Sequence, residues 1–159
     1  MSAIAYITLI RTNEDVMTQK ELEAWVMVLS TIVISGWVAW DATRGGVPAD
    51  VSGAAWKMVW AIGYSILFNI IAVIAGHILF AIFTGGREIS DEKADERDRL
   101  INGHAMRNGY FVLSIGVGGV IVWQALGLPA ELAPYALFGI SMLAGGVFAA
   151  SQIVYYRIS

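Results

Sequence analysis

Four long stretches of the chain contain no charged residue, and they define the elements that the pattern predicts. They cover residues 24–40, 58–86, 108–130 and 132–156. A helix needs roughly 17 to 25 apolar residues to cross a hydrocarbon core about 30 Å thick. The pattern therefore predicts an all-α fold, a four-helix transmembrane bundle in a single domain over residues 1–159, with spans near 22–41, 57–84, 107–127 and 132–156.

The boundaries of these helices are marked by residues with a local mechanism. Thr18 and Glu21 have the spacing of a capping box, in which side chains accept hydrogen bonds from the free amides of a first turn. The first helix is therefore predicted to start near Gln19. Between spans, glycine and proline break the helical pattern. They predict turn-rich connections at Gly45, Gly46 and Pro48, and again at Gly127, Pro129 and Pro134.

The overall composition agrees with a membrane location. Hydrophobic residues make up 57% of the chain and the mean hydropathy is +0.65, whereas soluble domains hold about 45–50% apolar residues. The net charge of -3 is small and mixed in sign, which argues against nucleic acid as a partner. The absence of cysteine excludes disulfides, thiolate metal sites and thiol chemistry.

Charge is concentrated in one internal segment. Residues 87–107 carry 11 of the 23 formal charges. Eight of the ten Lys and Arg residues fall on one side of the predicted topology, and only Arg44 and Lys57 fall on the other. Basic residues favour the cytoplasmic side of a membrane. The distribution predicts a plasma (inner) membrane protein, N-in and C-in, with both termini and residues 87–107 in the cytoplasm.

The charged segment has the signals of a helix. Ser90 is a suitable N-cap, and acidic residues follow it in the first turn, from Asp91 onward. Asp95 and Arg99 are spaced as a favourable acid-before-base pair, although several like-charge pairs share that spacing. Arg97 lies on a stripe with Ile101, which predicts that it points towards a polar pocket at the ends of the spans. This helix is expected to continue into the third span.

One short motif in this segment carries a family resemblance. The sequence Asp95, Glu96, Arg97 and Ile101, followed by Ala105, Gly109 and Tyr110, resembles the "DER" loop of small multi-pass bacterial and archaeal membrane proteins of unassigned function. His104 and Asn108 depart from the basic or small residues expected there. The resemblance covers about a quarter of the chain. It implies a four-span fold and no particular activity.

His77 is the one ionisable residue well inside a predicted span, and such residues are candidates for function. A small and polar stripe lies nearby, formed by Ser65, Asn69, Ala72 and Gly76. One interpretation is a polar ligand site or proton path along this stripe. The other is structural: neutral His77 hydrogen-bonds a neighbouring helix, and Asn69 joins two helices. The sequence favours the structural interpretation, because no facing carboxylate is evident.

A metal site is a second possibility for the ionisable residues. Imidazole and carboxylate suit zinc or a similar ion, and the potential ligands are His77, His104, Asp91, Glu92, Asp95 and Glu96. No His-x-x-His or Glu-x-x-His spacing places two ligands on one helical face. Bis-histidine haem between the second and third spans has even less support. We therefore predict no metal and no cofactor. Asp41 is predicted to cap its loop or to pair with Arg44.

Small residues recur at a spacing of four in the last two spans. Ser114 with Gly118 forms one such pair, and two adjacent stripes follow in the fourth span, namely Ser141, Gly145 and Ala149, and Gly146 and Ala150. Small residues allow the close helix approach on which association in lipid depends. We expect one of the two adjacent stripes to pack internally and the other against a second copy, which predicts a homodimer.

Three functions remain open. No P-loop, Gly-x-Ser-x-Gly or His-Glu-x-x-His motif is present, so we predict that the protein is not an enzyme. The favoured hypothesis is a regulatory, interaction or assembly module whose charged cytoplasmic helix binds a protein partner. The alternatives are a small dimeric transporter or channel, and a metal or cofactor binder using His77 and His104. The candidates for a polar or ligand site are Asn69, His77, Asp95, Glu96, Arg97 and His104.

Overall fold

The fold contains four long helices, with short connections after the first and the third. It was obtained as a computed structural model and describes residues 19–83 and 96–158. The helices are α1 (Gln19–Asp41), α2 (Val51–Phe83), α3 (Glu96–Ala125) and α4 (Ala133–Ile158). Each is long and apolar enough to cross a membrane, and no residue within the described ranges lies in a strand. The predicted all-α, four-helix transmembrane fold is confirmed.

The second helix begins earlier than the predicted residue 57. Asp50 accounts for the difference, because its Oδ2 accepts a hydrogen bond from the amide of Gly53 at 2.7 Å and its carbonyl accepts one from Ala54 at 3.1 Å. The Asp50 carboxylate caps the first turn of α2. That turn was not predicted because it lies before Lys57, outside the stretch without charged residues. At 33 residues, α2 is about 50 Å long. It exceeds the hydrocarbon core, so it must tilt or project into the headgroups.

The third helix confirms part of the prediction for the charged segment. The predicted start at Ser90 and Asp91 lies outside the described residues. From Glu96 onward, α3 continues without interruption through the end of the charged segment to Ala125. Charged and apolar residues are thus carried on a single helix, as expected.

Both short connections contain a glycine with a positive φ. A π-helical turn over Ala42–Gly46 follows α1, and within it Gly45 has φ +81°. After α3, Gly127 has φ +72°, and the amides of Gly127 and Leu128 donate to carbonyls of the last helical turn at 3.0 and 3.4 Å. That pattern is a Schellman cap, which favours glycine. Pro134 lies in the first turn of α4 rather than in the connection, a position that needs no amide donor.

The fourth helix holds the bundle together. It contacts each of the other three helices, and α1 also packs on α2. In the described parts of the chain, α3 makes no extensive contact with α1 or α2. We call the end with the two short connections the loop end, and the end where α1 and α3 begin the charged end. An apolar core closes the loop end, with Ile34, Val38, Met58, Ala61 and Phe138 in contact.

Most large apolar side chains lie on the outside of the bundle. Ile115 is 71% exposed and Trp60 is 63% exposed. Contiguous apolar exposure of this extent is unfavourable in water. In a bilayer the same surface is solvated by lipid, and the backbone polar groups are satisfied inside each helix. The exposed surface therefore agrees with a membrane protein of four spans.

Candidate functional site

A groove with a mixed polar and apolar lining opens at the charged end, between α1 and α3. It exists because these two helices both pack on α4 and do not pack extensively on each other. The groove encloses about 420 Å³. Its floor is formed by α4, with Phe148, Gln152 and Tyr156, and its walls carry Glu23, Asp98, Arg99 and Asn102.

Hydrogen bonds between α3 and α4 hold one wall of the groove in place. The hydroxyl of Tyr156 donates to Asp98 Oδ1 at 3.0 Å. One turn further along, Gln152 Nε2 donates to Asn102 Oδ1 at 3.3 Å. Asp98 and Asn102 are four residues apart on α3, and Gln152 and Tyr156 are four residues apart on α4. Residues at this spacing lie on one face of a helix, so the two hydrogen bonds join facing sides of α3 and α4. The side chains of this wall are therefore positioned before any ligand or partner arrives.

Arg97 lies beside the groove. Its guanidinium donates to the carbonyl of Tyr156 at 3.3 Å, near the end of α4, and the residue remains exposed. A cation is favourable there because the carbonyls of the last helical turn lack partners within the helix. Arg97 was predicted to point towards a polar pocket, but it is exposed and does not line the groove. Its hydrogen bond instead satisfies a carbonyl in the last turns of α4.

His77 has the facing carboxylate that the sequence analysis did not find. Its Nε2 lies 3.8 Å from Glu23 Oε1, and its Nδ1 lies 2.8 Å from the carbonyl of Val73 on its own helix. A carbonyl only accepts, so Nδ1 carries a proton. A separation of 3.8 Å exceeds a hydrogen bond. The contact becomes an ion pair when Nε2 is also protonated. Glu23 also lines the groove, so His77 lies next to the groove.

Asn69 has the structural role that was predicted for it. Its amide donates to Ser30 Oγ on α1 at 2.7 Å and to the carbonyl of Ser65 at 2.9 Å. Ser30 and Ser65 are both buried. Further along the stripe, Gly76 packs against Leu22 of α1. The small and polar stripe is occupied by α1, which supports the interpretation of Asn69 as a link between helices.

The other candidates do not converge on one site. His104 is exposed on α3, with Nδ1 2.8 Å from the carbonyl of Leu100 and its ring 5.8 Å from that of Tyr155. Glu96 is exposed at the start of α3. Asp95 lies outside the described residues, as do the potential metal ligands Asp91 and Glu92.

His77 and His104 are on helices that do not pack extensively on each other. Within residues 19–83 and 96–158 there is no group of three His, Asp or Glu residues that could hold a metal ion. The structure thus offers no geometry for a shared histidine site in the part of the chain that it describes.

The glycines of the two adjacent small-residue stripes of α4 pack inside the molecule. Gly146 lies against Thr31, and Gly145 lies against Met27, so both face α1. Ser141 and Ala150, which belong to the same two stripes, are exposed. Gly118 of α3, by contrast, has no neighbour within 4 Å of a Cβ placed there. The homodimer stays a prediction.

Asp41 pairs with Lys57, not with Arg44. The two charged groups form a salt bridge across the first connection, and Lys57 also donates to the carbonyl of Gly46 at 2.5 Å. Tyr135 of α4 donates to the same carbonyl at 3.2 Å. Arg44 instead lies over the ring of Trp40, 4.4 Å from its centroid. These contacts attach the first connection to α4 at the loop end.

Most residues of the groove were not predicted from the sequence, including Asp98, Asn102 and Gln152. One signal could have found them. Asp98 with Asn102, and Gln152 with Tyr156, are polar pairs four residues apart on helices that are otherwise apolar. Matching stripes of this kind indicate two helices that face each other through polar contacts.

Comparison with protein-family models, with curated proteins and with solved structures finds no match to this chain. The resemblance to proteins with a "DER" loop therefore stays a prediction.

Proposed function

We propose that this protein is a non-enzymatic membrane module that binds a protein partner through the groove at its charged end. The observation that carries the proposal is a groove at the charged end that is lined by both charged and apolar residues. The loop end is closed by the apolar core around Phe138. A site of this shape can receive a segment from the aqueous phase, whereas a conduit would need polar lining along its whole length.

The lining of the groove indicates the chemistry of the partner. Glu23 and Asp98 supply two carboxylates against the single guanidinium of Arg99, while Met27 and Phe148 add apolar surface. A complementary segment would carry both basic and apolar side chains. Methionine suits such a surface because its flexible side chain adapts to different neighbours. Electrostatic complementarity of this kind mainly provides specificity and a faster association rate.

We place the charged end in the cytoplasm of a plasma (inner) membrane. The distribution of basic residues in the sequence supports this side, because eight of the ten Lys and Arg fall in the segments predicted to lie there. The partner would then be a cytoplasmic protein, or the cytoplasmic part of a second membrane protein.

Site-specific photocrosslinking in cells tests the proposal. A photoreactive amino acid at Asn102 lies in the groove, whereas the same residue at Ser52 is exposed near the loop end and serves as the control. We expect a discrete crosslink to a different polypeptide from position 102 and none from position 52. Glu23→Arg should lower the yield about tenfold, because a like charge then faces the partner.

Two results would contradict this proposal. One is an equal yield of crosslink from positions 102 and 52, which would mean that the partner does not bind at the groove in preference to the loop end. The other is a product from position 102 that contains only lipid or only a second copy of this chain.

A small transporter, the alternative function, is favoured by one observation, the titratable pair formed by Glu23 and His77 at 3.8 Å. Proton-coupled transport needs such a group that changes its protonation during the cycle. Purified protein in liposomes should then move protons in response to a pH gradient, and Glu23→Gln should abolish the movement while Arg44→Gln leaves it unchanged. Absence of proton movement in the unmodified protein would exclude this alternative.

A further inference from the structure

The outer face of α3 carries a basic patch at the charged end that faces away from the bundle. Arg99, Gly103 and Arg107 are at successive positions four residues apart, with His104 beside them. All four are exposed. The opposite face of the helix is buried against α4 through Ile101, Ala105 and Gly109. The patch therefore points towards the surroundings of the protein.

This patch forms a shallow depression. Its volume is about 250 Å³, and its lining consists of Arg99, Leu100, Gly103, His104 and Arg107. A Cβ placed at Gly103 would meet no atom within 4 Å. The absence of a side chain at this position leaves room between the two guanidinium groups.

The patch is positively charged and has no acidic residue in its lining. In the described ranges, neither Arg99 nor Arg107 takes part in a salt bridge. Glu23 and Asp98, by contrast, face the groove or α4, whereas Glu96 is exposed at the start of α3. An anion on this face would therefore meet the guanidinium groups of Arg99 and Arg107.

The position of the patch along α3 indicates which kind of anion would bind there, because the patch lies next to the apolar part of the helix. Arg107 is the last charged residue before the apolar stretch, and the next residues on the outer face are Tyr110 and Phe111, which are 68% and 62% exposed. An exposed aromatic side chain at this level is typical of the membrane interface. Arg99 lies about 12 Å further from the apolar stretch along the helix axis. Long arginine side chains can extend across the headgroup layer.

We propose that Arg107, together with Arg99 and His104, binds the phosphate of an anionic phospholipid on the outer face of α3. The headgroup occupies the depression above Gly103, and the acyl chains extend along Phe111 and Ile115 towards the centre of the membrane. The planar guanidinium of Arg107 can donate two parallel hydrogen bonds to phosphate oxygens. Arg99 borders both this site and the groove, whereas Gly103, His104 and Arg107 line only this site.

Lipid retention measured by native mass spectrometry tests the proposal. The full-length protein is reconstituted in vesicles of equimolar phosphatidylglycerol and phosphatidylcholine, extracted gently, and examined for bound lipid. We expect the unmodified protein to retain phosphatidylglycerol in preference to phosphatidylcholine. Arg107→Gln should reduce that preference about fivefold, the effect of one basic residue near an anionic surface. Arg107→Lys should retain part of it, because lysine keeps the charge and loses the paired hydrogen bonds.

Arg44→Gln is the matched control, because Arg44 is an exposed arginine at the loop end. It removes one positive charge and should leave the preference unchanged. An equal loss in both variants would overturn the proposal, since it would show a general effect of net charge. Equal retention of the two lipids by the unmodified protein would also overturn it, and would indicate that acidic residues preceding α3 neutralise the arginines instead.

Discussion

Asn69 shows how much one polar side chain can contribute inside a bundle of apolar helices. Lipid provides no hydrophobic force between helices, so packing and interhelical hydrogen bonds carry their association. The Asn69 amide donates one hydrogen bond to Ser30 of α1 and another to a carbonyl of its own helix. Because Ser30 is only 2% exposed, its hydroxyl has no alternative partner from solvent.

The hydrogen bond between Asn69 and Ser30 should appear as a coupling energy. In a double-mutant cycle, Asn69→Leu and Ser30→Ala should be coupled by about 0.6 kcal/mol, with roughly 1.7 kcal/mol as an upper bound. Unfolding in mixed detergent micelles, followed by circular dichroism, measures the free energy of each variant. Ser141→Ala is the control partner, because its hydroxyl bonds only to Leu137 of its own helix. Equal coupling for Ser30 and Ser141 would contradict the assignment.

At the residue scale, the sequence predicted those contacts that depend on spacing within one helix. Asn69 belongs to a small and polar stripe that repeats with the helix, and a structural role could be predicted from that stripe. The partner of His77 could not, because Glu23 is on another helix, 54 residues earlier in the chain. The Asp41 partner was wrong for a similar reason: Arg44 is close in sequence, but the turn directs Lys57 towards the carboxylate.

At the scale of elements, the contact between α3 and α4 depends on a close backbone approach at Gly109. A Cβ at this position would lie 3.0 Å from the carbonyl oxygen of Ala144 and 3.2 Å from Phe148 Cβ. Gly109 is buried, and it lies on the same face as Ile101 and Ala105. The two helices can therefore approach this closely only where α3 has no side chain.

Gly109→Val should destabilise the protein, whereas Gly118→Val on the same helix should have little effect. The expected loss at Gly109 is about 1–3 kcal/mol, the usual range for overpacking a filled interface. Gly118 has no neighbour within 4 Å. Both substitutions introduce the same β-branched side chain into α3, so the difference between their unfolding free energies isolates the contact. Equal stability of the two variants would mean that α3 does not approach α4 as closely as described.

The boundaries of the helices were predictable where charge or turn chemistry defines them. Charge-free stretches located all four helices, and the glycines of the connections identified both turns. The start of α2 was placed too late, because a helix can extend beyond its apolar stretch when a side chain such as Asp50 caps its first amides. Lys57, which seemed to end the stretch, lies inside the helix.

For the whole molecule, the decisive feature is which helices contact each other. The helices all present apolar residues around most of their circumference, so no single amphipathic face identifies the partner of each one. The groove follows from that choice of partners, because it forms only when α1 and α3 both pack on α4 and leave a space between them. The sequence shows the polar residues of the groove, but it does not show that residues from three different helices lie together there.

The most direct measurement is the accessibility of single cysteines at the two ends of the bundle. The chain has no cysteine of its own, so Ala49→Cys at the loop end and Glu96→Cys at the charged end can be compared without background. In intact cells, a membrane-impermeant maleimide should label position 49, and it should label position 96 only after the membrane is permeabilised. Labelling of both positions in intact cells, or of position 96 alone, would contradict four spans with the charged end in the cytoplasm.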